Sequence, residues 1–156
     1  RRIYRAGMTT TSGGNISLRD GDGTIWITPA ARDKGALRGE DIVGSRPDGT
    51  FAGQHPPSSE LPFHRAIYAA RPDLGAVIHA HPAALVAFSI VRQRPDLQDL
   101  PEAAAVCGRI GYANYATPGE EELGTLIAAE FRDGCDAVIG PAADGGKSGT
   151  VQVAGL

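Results

Sequence analysis

The 156 residues carry 15 Lys and Arg against 18 Asp and Glu, for a net charge of −3, and 42% are apolar, so the chain can bury its own core and is not a disordered segment. It has no concentrated run of Lys or Arg, which argues against nucleic acid as the main partner, and its longest apolar stretch, Ala83 to Phe88, is far shorter than the roughly 18 residues that suggest a membrane span. Cys107 and Cys135 are the only cysteines, which suits a reducing compartment, and a cytoplasmic location is expected.

No apolar segment of the signal-peptide kind follows the arginines near the start. The chain begins on Arg1 rather than Met, so a longer parent protein is expected. Leu18 to Ile27 reads as a hairpin, because Asp20-Gly21-Asp22-Gly23 supplies residues that tolerate positive φ before a β-forming run resumes at Thr24. Ile42 to Phe51 repeats the arrangement around Pro47-Asp48-Gly49, and two hairpins predict a sheet with antiparallel members.

Ser59 is placed to cap a helix with Pro62 in its first turn, with Phe63, Ile67 and Ala70 on one face and an end near Arg71-Pro72. Ala76 to His81 reads as a short buried strand, and Pro82 opens a second apolar helix to about Val91. Thr117-Pro118-Gly119-Glu120 has the form of a capping box, heading a helix to about Arg132. Asp136 to Ile139 begins another strand, and the tail over 139–156, rich in Gly, Ala and small polar residues, receives no assignment. The alternation of helix and strand predicts one layered α/β domain.

Residues two apart on a strand share a face, so His79 and His81 should project their imidazoles side by side. Such a pair can ligate one ion, although two hydrogen-bonded core histidines would show the same spacing. Catalytic zinc takes three protein ligands, so another group would have to complete a site. Glu60 is the nearest candidate, as ligand, base or both; an acidic residue in a first helical turn is equally what the helix dipole favours. His55 and His64 lack paired spacing, and His64 reads as decorating its helix. Two features could hold an anion, the loop from Thr10 to Asn15 and the Ser58-Ser59 helix start with its free amides. Phosphate is the natural guest, and since the loop matches neither GxGxxG nor GxxxxGK[ST], a nucleotide site is not supported.

Taken in order, Ser12-Gly13-Gly14-Asn15-Ile16-Ser17, Ile27-Thr28-Pro29, Pro57-Ser58-Ser59-Glu60 followed by His64, and His79-Ala80-His81-Pro82 resemble the class II aldolase/adducin family. Tyr115-Ala116-Thr117-Pro118-Gly119 extends the resemblance over roughly residues 7 to 139. The resemblance implies a three-layer α/β/α sandwich with a mainly antiparallel central sheet, assembled as a homotetramer. It implies that His79, His81 and Glu60 hold Zn2+ or another divalent ion such as Mn2+ or Co2+, with Glu60 also the acid-base group. By the same resemblance Asn15, Gly14, Thr28, Ser58 and Ser59 surround the phosphate of a small phosphorylated sugar. The expected activity is metal-dependent aldol cleavage of a phosphorylated ketose; an epimerase, dehydratase or decarboxylase on the same scaffold, or a non-catalytic adducin-like association domain, are the alternatives.

The chain also departs from the family pattern. The third metal histidine of the family is absent from Ile139-Gly140-Pro141-Ala142-Ala143, and Ala30-Ala31 stand where a hydroxyl residue and a glycine are usual. Leu100 falls near the place of a catalytic tyrosine in fuculose aldolases, and the role transfers to neither Tyr112 nor Tyr115. The single domain is expected to be incomplete at both ends.

Overall fold

A computed structural model describes residues 1–97, 100–140 and 150–154. After a one-turn helix α1 (Arg2–Arg5), strands β1 (Asn15–Arg19) and β2 (Ile25–Ile27) form one hairpin, and β3 (Val43–Ser45) and β4 (Phe51–Ala52) a second. Helix α2 (Leu61–Ala70) leads into β5 (Ala76–Ala80), α3 (Ala83–Ile90), α4 (Pro101–Cys107) and β6 (Ile110–Tyr112). Helix α5 (Glu121–Arg132), β7 (Ala137–Gly140) and β8 (Thr150–Ala154) follow. The strands join in one sheet, ordered β4-β3-β2-β1-β5-β8-β7-β6, in which β6 and β7 alone among neighbours are parallel. This is the α/β architecture with a mainly antiparallel sheet that the sequence leads one to expect.

Both hairpins close as their turn residues dictate. Asp22 Oδ1 accepts the Thr24 amide at 2.8 Å, and Asp48 Oδ1 accepts that of Thr50 at 2.8 Å, the local side-chain turn that makes Asp a frequent turn residue. Ile25, Ile27, Val43 and Val77 of the sheet pack with Phe63 and Ile67 of α2 and with Ile127 and Phe131 of α5 in one apolar core. The two helices approach closely at Gly124, where a Cβ would stand 3.2 Å from Phe63 Cα.

Strand β1 reverses the usual arrangement. Its alternation turns Asn15 and Ser17 inward, where both are buried, and leaves Leu18 57% exposed on the opposite face. A strand that buries its polar positions needs hydrogen-bond partners for them, and β1 finds those on α2 and its cap residue Glu60.

Several boundaries differ from expectation. Glu60, not Ser59, occupies the N-cap position of α2, because the Leu61 amide already closes a turn onto the Ser58 carbonyl at 3.1 Å. Glu120 likewise takes the cap of α5 after a turn in which its amide bonds the Thr117 carbonyl at 3.2 Å. Strand β5 stops at Ala80, and His81 just beyond it is anchored by its amide to the Met8 carbonyl at 2.7 Å. Helix α4 and strands β6 and β8 were not anticipated; β8 lies in the unassigned tail, of which residues 141–149, 155 and 156 fall outside the described part. No helix among the described residues is long and apolar enough to cross a membrane.

Candidate active site

The Gly-rich loop passes over the end of β5 because nothing but hydrogen fits there. Gly14 adopts φ +66, and a Cβ on it would lie 2.6 Å from the His79 carbonyl oxygen. Thr9 Oγ1 donates to the Gly13 carbonyl at 2.5 Å, and the Gly13 amide donates to Thr10 Oγ1 at 2.9 Å. The loop therefore delivers Asn15 into direct register with His79 across β1 and β5.

His79 is 2% exposed, and its Nε2 faces Nε2 of His81 at 2.9 Å. The pairing expected from their spacing is therefore present. Glu60 meets the other nitrogen of the His79 ring, its Oε2 lying 2.7 Å from Nδ1. That approach is close but poorly aligned, and His79 Nδ1 is buried without a hydrogen-bond partner among the described residues. Asn15 Nδ2 donates to the same Glu60 oxygen at 2.5 Å.

Burial raises the affinity of Glu60 for a proton, but contact with His79 and the Asn15 hydrogen bond outweigh it and hold the carboxyl at about 2. Burial, then the neighbouring charge of His79, pushes the pKa of His81 down to about 4 against the pull of Glu60. At neutral pH the site thus presents an ionised carboxylate and an uncharged His81, the protonation states that metal ligation requires.

His64 does not decorate its helix, as expected, but is 0% exposed in the interior. Its Nδ1 lies 2.7 Å from Ser17 Oγ, and its Nε2 bonds Asn15 Oδ1. Burial first, and then His79, lower its pKa to about 3, with Glu60 opposing. The sequence did hold a signal for this placement: Glu60, His64 and Tyr68 recur every four residues, the spacing of one helical stripe, and face the two-residue spacing of Asn15 and Ser17 on β1. His55 is elsewhere, pairing with Asp41 at 2.9 Å and with Arg32 at 3.1 Å.

Glu60 and His81 open onto a polar cavity of about 230 Å³ whose walls include Ser12, Lys34, Ser58 and Ser59. Gly14 and Asn15 also border it. Ser58 Oγ accepts the Glu60 amide at 3.3 Å, and Ser59 is solvent-exposed. Thr28 lines instead an adjoining cavity of about 330 Å³ shared with Trp26 and Ile42, and its hydroxyl oxygen accepts the Ile16 amide at 3.2 Å. Leu100, Tyr112 and Tyr115 border neither space.

Lys34 escaped the sequence reading, since a lone Lys between Asp33 and Gly35 looks like a solvated turn. It is buried, and its Nζ donates to the carbonyls of Pro29 and Arg32 at 3.2 Å each. Burial lowers its pKa, opposed by Glu60 and Asp33.

The donor set fits two positions of a divalent-ion shell. Tetrahedral ligation at about 2.0–2.1 Å sets two nitrogens roughly 3.3 Å apart, a few tenths of an ångström wider than the pair here, and a neutral His81 offers its lone pair. The other two histidines are engaged with Ser17, Asn15, Asp41 and Arg32, and among the described residues no group of three or more His, Cys, Asp or Glu converges on one point. In this arrangement Glu60 sits at the ring edge away from His81.

Residues 1–141 match the Class II Aldolase and Adducin N-terminal domain family, and the chain belongs to that family. It is 38% identical over 138 residues to a 5-methylthioribulose-1-phosphate/5-deoxyribulose-1-phosphate aldolase of Rhodospirillum rubrum, covering 86% of this chain and 62% of that protein. It is 35% identical over 133 residues to an L-fuculose phosphate aldolase of Methanococcus maripaludis, covering 85% of this chain and 72% of the relative. A 3-oxo-tetronate 4-phosphate decarboxylase of Pectobacterium atrosepticum is 31% identical over 131 residues, covering 81% of this chain and 60% of its own. Among solved structures, an L-fuculose 1-phosphate aldolase superposes with a TM-score of 0.84 at 28% identity, over 99% of this chain and 70% of the other.

Proposed function

We propose that this chain carries the reaction centre of a divalent-metal-dependent lyase that cleaves a small phosphorylated ketose into a three-carbon ketone phosphate and an aldehyde. The observation that supports it is the 2.9 Å approach of the His79 and His81 Nε2 atoms beside a polar cavity that also holds Glu60. Zn2+, or Mn2+ or Co2+ in its place, would be held by His79 and His81 with Glu60 close by, and would supply electrophilic stabilisation of the enediolate that carbon–carbon cleavage generates.

The remaining steps fall to the protein. Glu60, ionised at neutral pH, takes and returns the proton. The Ser59 amide and the hydroxyls of Ser58 and Ser59, with the Gly14-Asn15 loop, receive the phosphate, the Ser58 amide being committed to the Thr28 carbonyl at 3.3 Å, and the Lys34 ammonium adds a fixed positive charge on the same wall. Thr28 belongs to this reading as a support of the loop through Ile16. A homotetramer in the cytoplasm is part of the same proposal.

Decarboxylation or dehydration of a phosphorylated sugar acid or ketose is the second reading. It is favoured by the decarboxylase among the relatives and by a cavity that no tyrosine borders. The deciding experiment is metal content per chain after zinc loading and dialysis, compared with His79→Ala/His81→Ala at equal folded concentration, followed by product analysis on ketose phosphates and phosphorylated sugar acids. Near-stoichiometric metal that vanishes in the double variant, with aldehyde released, supports the lyase. Carbon dioxide or a dehydrated product moves the assignment to the second reading, and no metal in either protein rejects both in favour of an association domain.

A further inference from the structure

Behind the site, five side chains form a hydrogen-bonded chain whose direction is fixed from one end. A carboxylate only accepts hydrogen bonds, so Asn15 must turn its NH2 to Glu60, where the contact is 2.5 Å. The Asn15 carbonyl oxygen is then left facing His64 Nε2, and because that oxygen also only accepts, Nε2 carries the proton. In a neutral imidazole the other nitrogen is an acceptor. Ser17 Oγ, 2.7 Å from Nδ1, therefore donates to it, and Tyr68 OH, 2.9 Å from Ser17 Oγ, donates in turn to Ser17.

We infer that His64 is a positioning residue: fixed in the neutral Nε2–H tautomer by Ser17 and Tyr68, it orients the Asn15 amide so that its NH2 and not its oxygen meets Glu60. If the amide turned over, its oxygen would face the carboxylate and its NH2 would face a donor. The surroundings favour the neutral ring. His64 is fully enclosed and stacked on Phe63 at 4.5 Å between centroids. Among the described residues, the charged or titratable groups near it are Tyr68 beyond Ser17, Glu60 beyond Asn15, and His79, which packs on the same Phe63 ring at 5.5 Å.

The hydrogen-bond directions stand without any assigned reaction, whereas the expected effect on turnover rests on the lyase reading. Long-range proton–nitrogen correlation spectra of the full chain, labelled with 15N in histidine and with the Asn side-chain amides also observed, test the directions. At pH 7, His64 is expected to show a protonated Nε2 and a bare Nδ1. A protonated Nδ1, or an imidazolium, would overturn the inference.

Ser17→Ala removes the donor to Nδ1 and should move the Nδ1 resonance toward that of a free imidazole nitrogen while Nε2 stays protonated; an unmoved Nδ1 signal counts against the chain. His64→Gln, which keeps a donor toward Asn15, should leave the Asn15 amide resonances near their native positions, and folded His64→Leu should displace them. Equal behaviour of the two would reduce His64 to a packing role. Should His64→Leu not fold, Ser17→Ala and the native spectrum still decide.

On any ketose phosphate that the native chain turns over, His64→Leu should lower kcat by roughly 10- to 100-fold, the worth of one hydrogen bond to a charged group, with KM changed less than about threefold and with recovery in His64→Gln. A rise in KM alone would refute positioning of Glu60. Absence of turnover in the native chain would sink the lyase reading and leave the tautomer result to stand or fall on the spectra.

Discussion

Asn15 and His79, directly opposed in the register of β1 and β5, both reach the same oxygen of Glu60, at 2.5 Å and 2.7 Å. One carboxylate oxygen thus joins the loop, the strand and the helix start. Glu60→Gln keeps the size and removes the charge. It is expected to leave a folded protein and to lower turnover of a ketose phosphate by about 100-fold or more, the usual worth of a general acid-base group. Steady-state rates beside circular dichroism of the same samples check this.

The glycine at position 14 is required twice over. Its φ is +66, and a Cβ there would meet the His79 carbonyl at 2.6 Å and Thr9 Oγ1 at 2.8 Å. Gly49 has φ +86 with nothing within 4 Å of its Cβ position. Gly49→Ala should therefore cost about 1–2 kcal/mol from the backbone alone, and Gly14→Ala about 2–4 kcal/mol once the collision is added. Urea unfolding of both variants measures the difference, and equal losses would contradict the close-approach argument.

Ala31 occupies the left-handed region at φ 50 on the wall of the cavity. Removing its Cβ relieves steric strain but loosens the unfolded chain. Since left-handed backbone costs a non-glycine residue about 1–2 kcal/mol, Ala31→Gly should come out stabilising by up to about 1 kcal/mol. A lower melting temperature would refute this.

Acid should destabilise the metal-free protein in two stages. His64 and His81 have folded pKa values of about 3 and about 4, below the ordinary 6.5 or so. The unfolded chain therefore takes protons that the folded one refuses. Their contribution is complete above about pH 6.5 and is lost as pH falls, at no more than about 1.4 kcal/mol per pH unit for each. Glu60, folded at about 2, adds to the loss only below its ordinary value of about 4.3. Between pH 6.5 and 4.5 the slope from these three groups thus belongs to the histidines. His64→Gln should reduce it by about half, as urea midpoints across that range would show.

The sequence made legible those features that are periodic or local. The Asp-Gly turns and the two-residue spacing of His79 and His81 each announce themselves within a few residues. Strand β6 is three residues long, too short to show alternation, and its existence depends on pairing with β7 some 27 positions away, Ile110 with Ala137. The cap of α2 was misplaced because the Ser58 turn competes with Ser59 for the same amides. His64 was misread because its burial depends on polar partners on β1, whose inward Asn15 and Ser17 invert the hydrophobic rule on which such readings rest. Lys34 could not be read at all, since the carbonyls that hold it converge only in three dimensions.

The position of β8 bears on how the molecule is made. It enters the sheet between β5 and β7 and bonds to both, although it is the last of the eight strands among the described residues in chain order. As the polypeptide leaves the ribosome, β5 and β7 must wait with unpaired edges, each a template for another chain. His79 lies on one of those waiting edges, opposite Gln152. Sheet closure around the histidine strand therefore waits until residues 150–154 have emerged, and chaperone demand should be greatest just before they do.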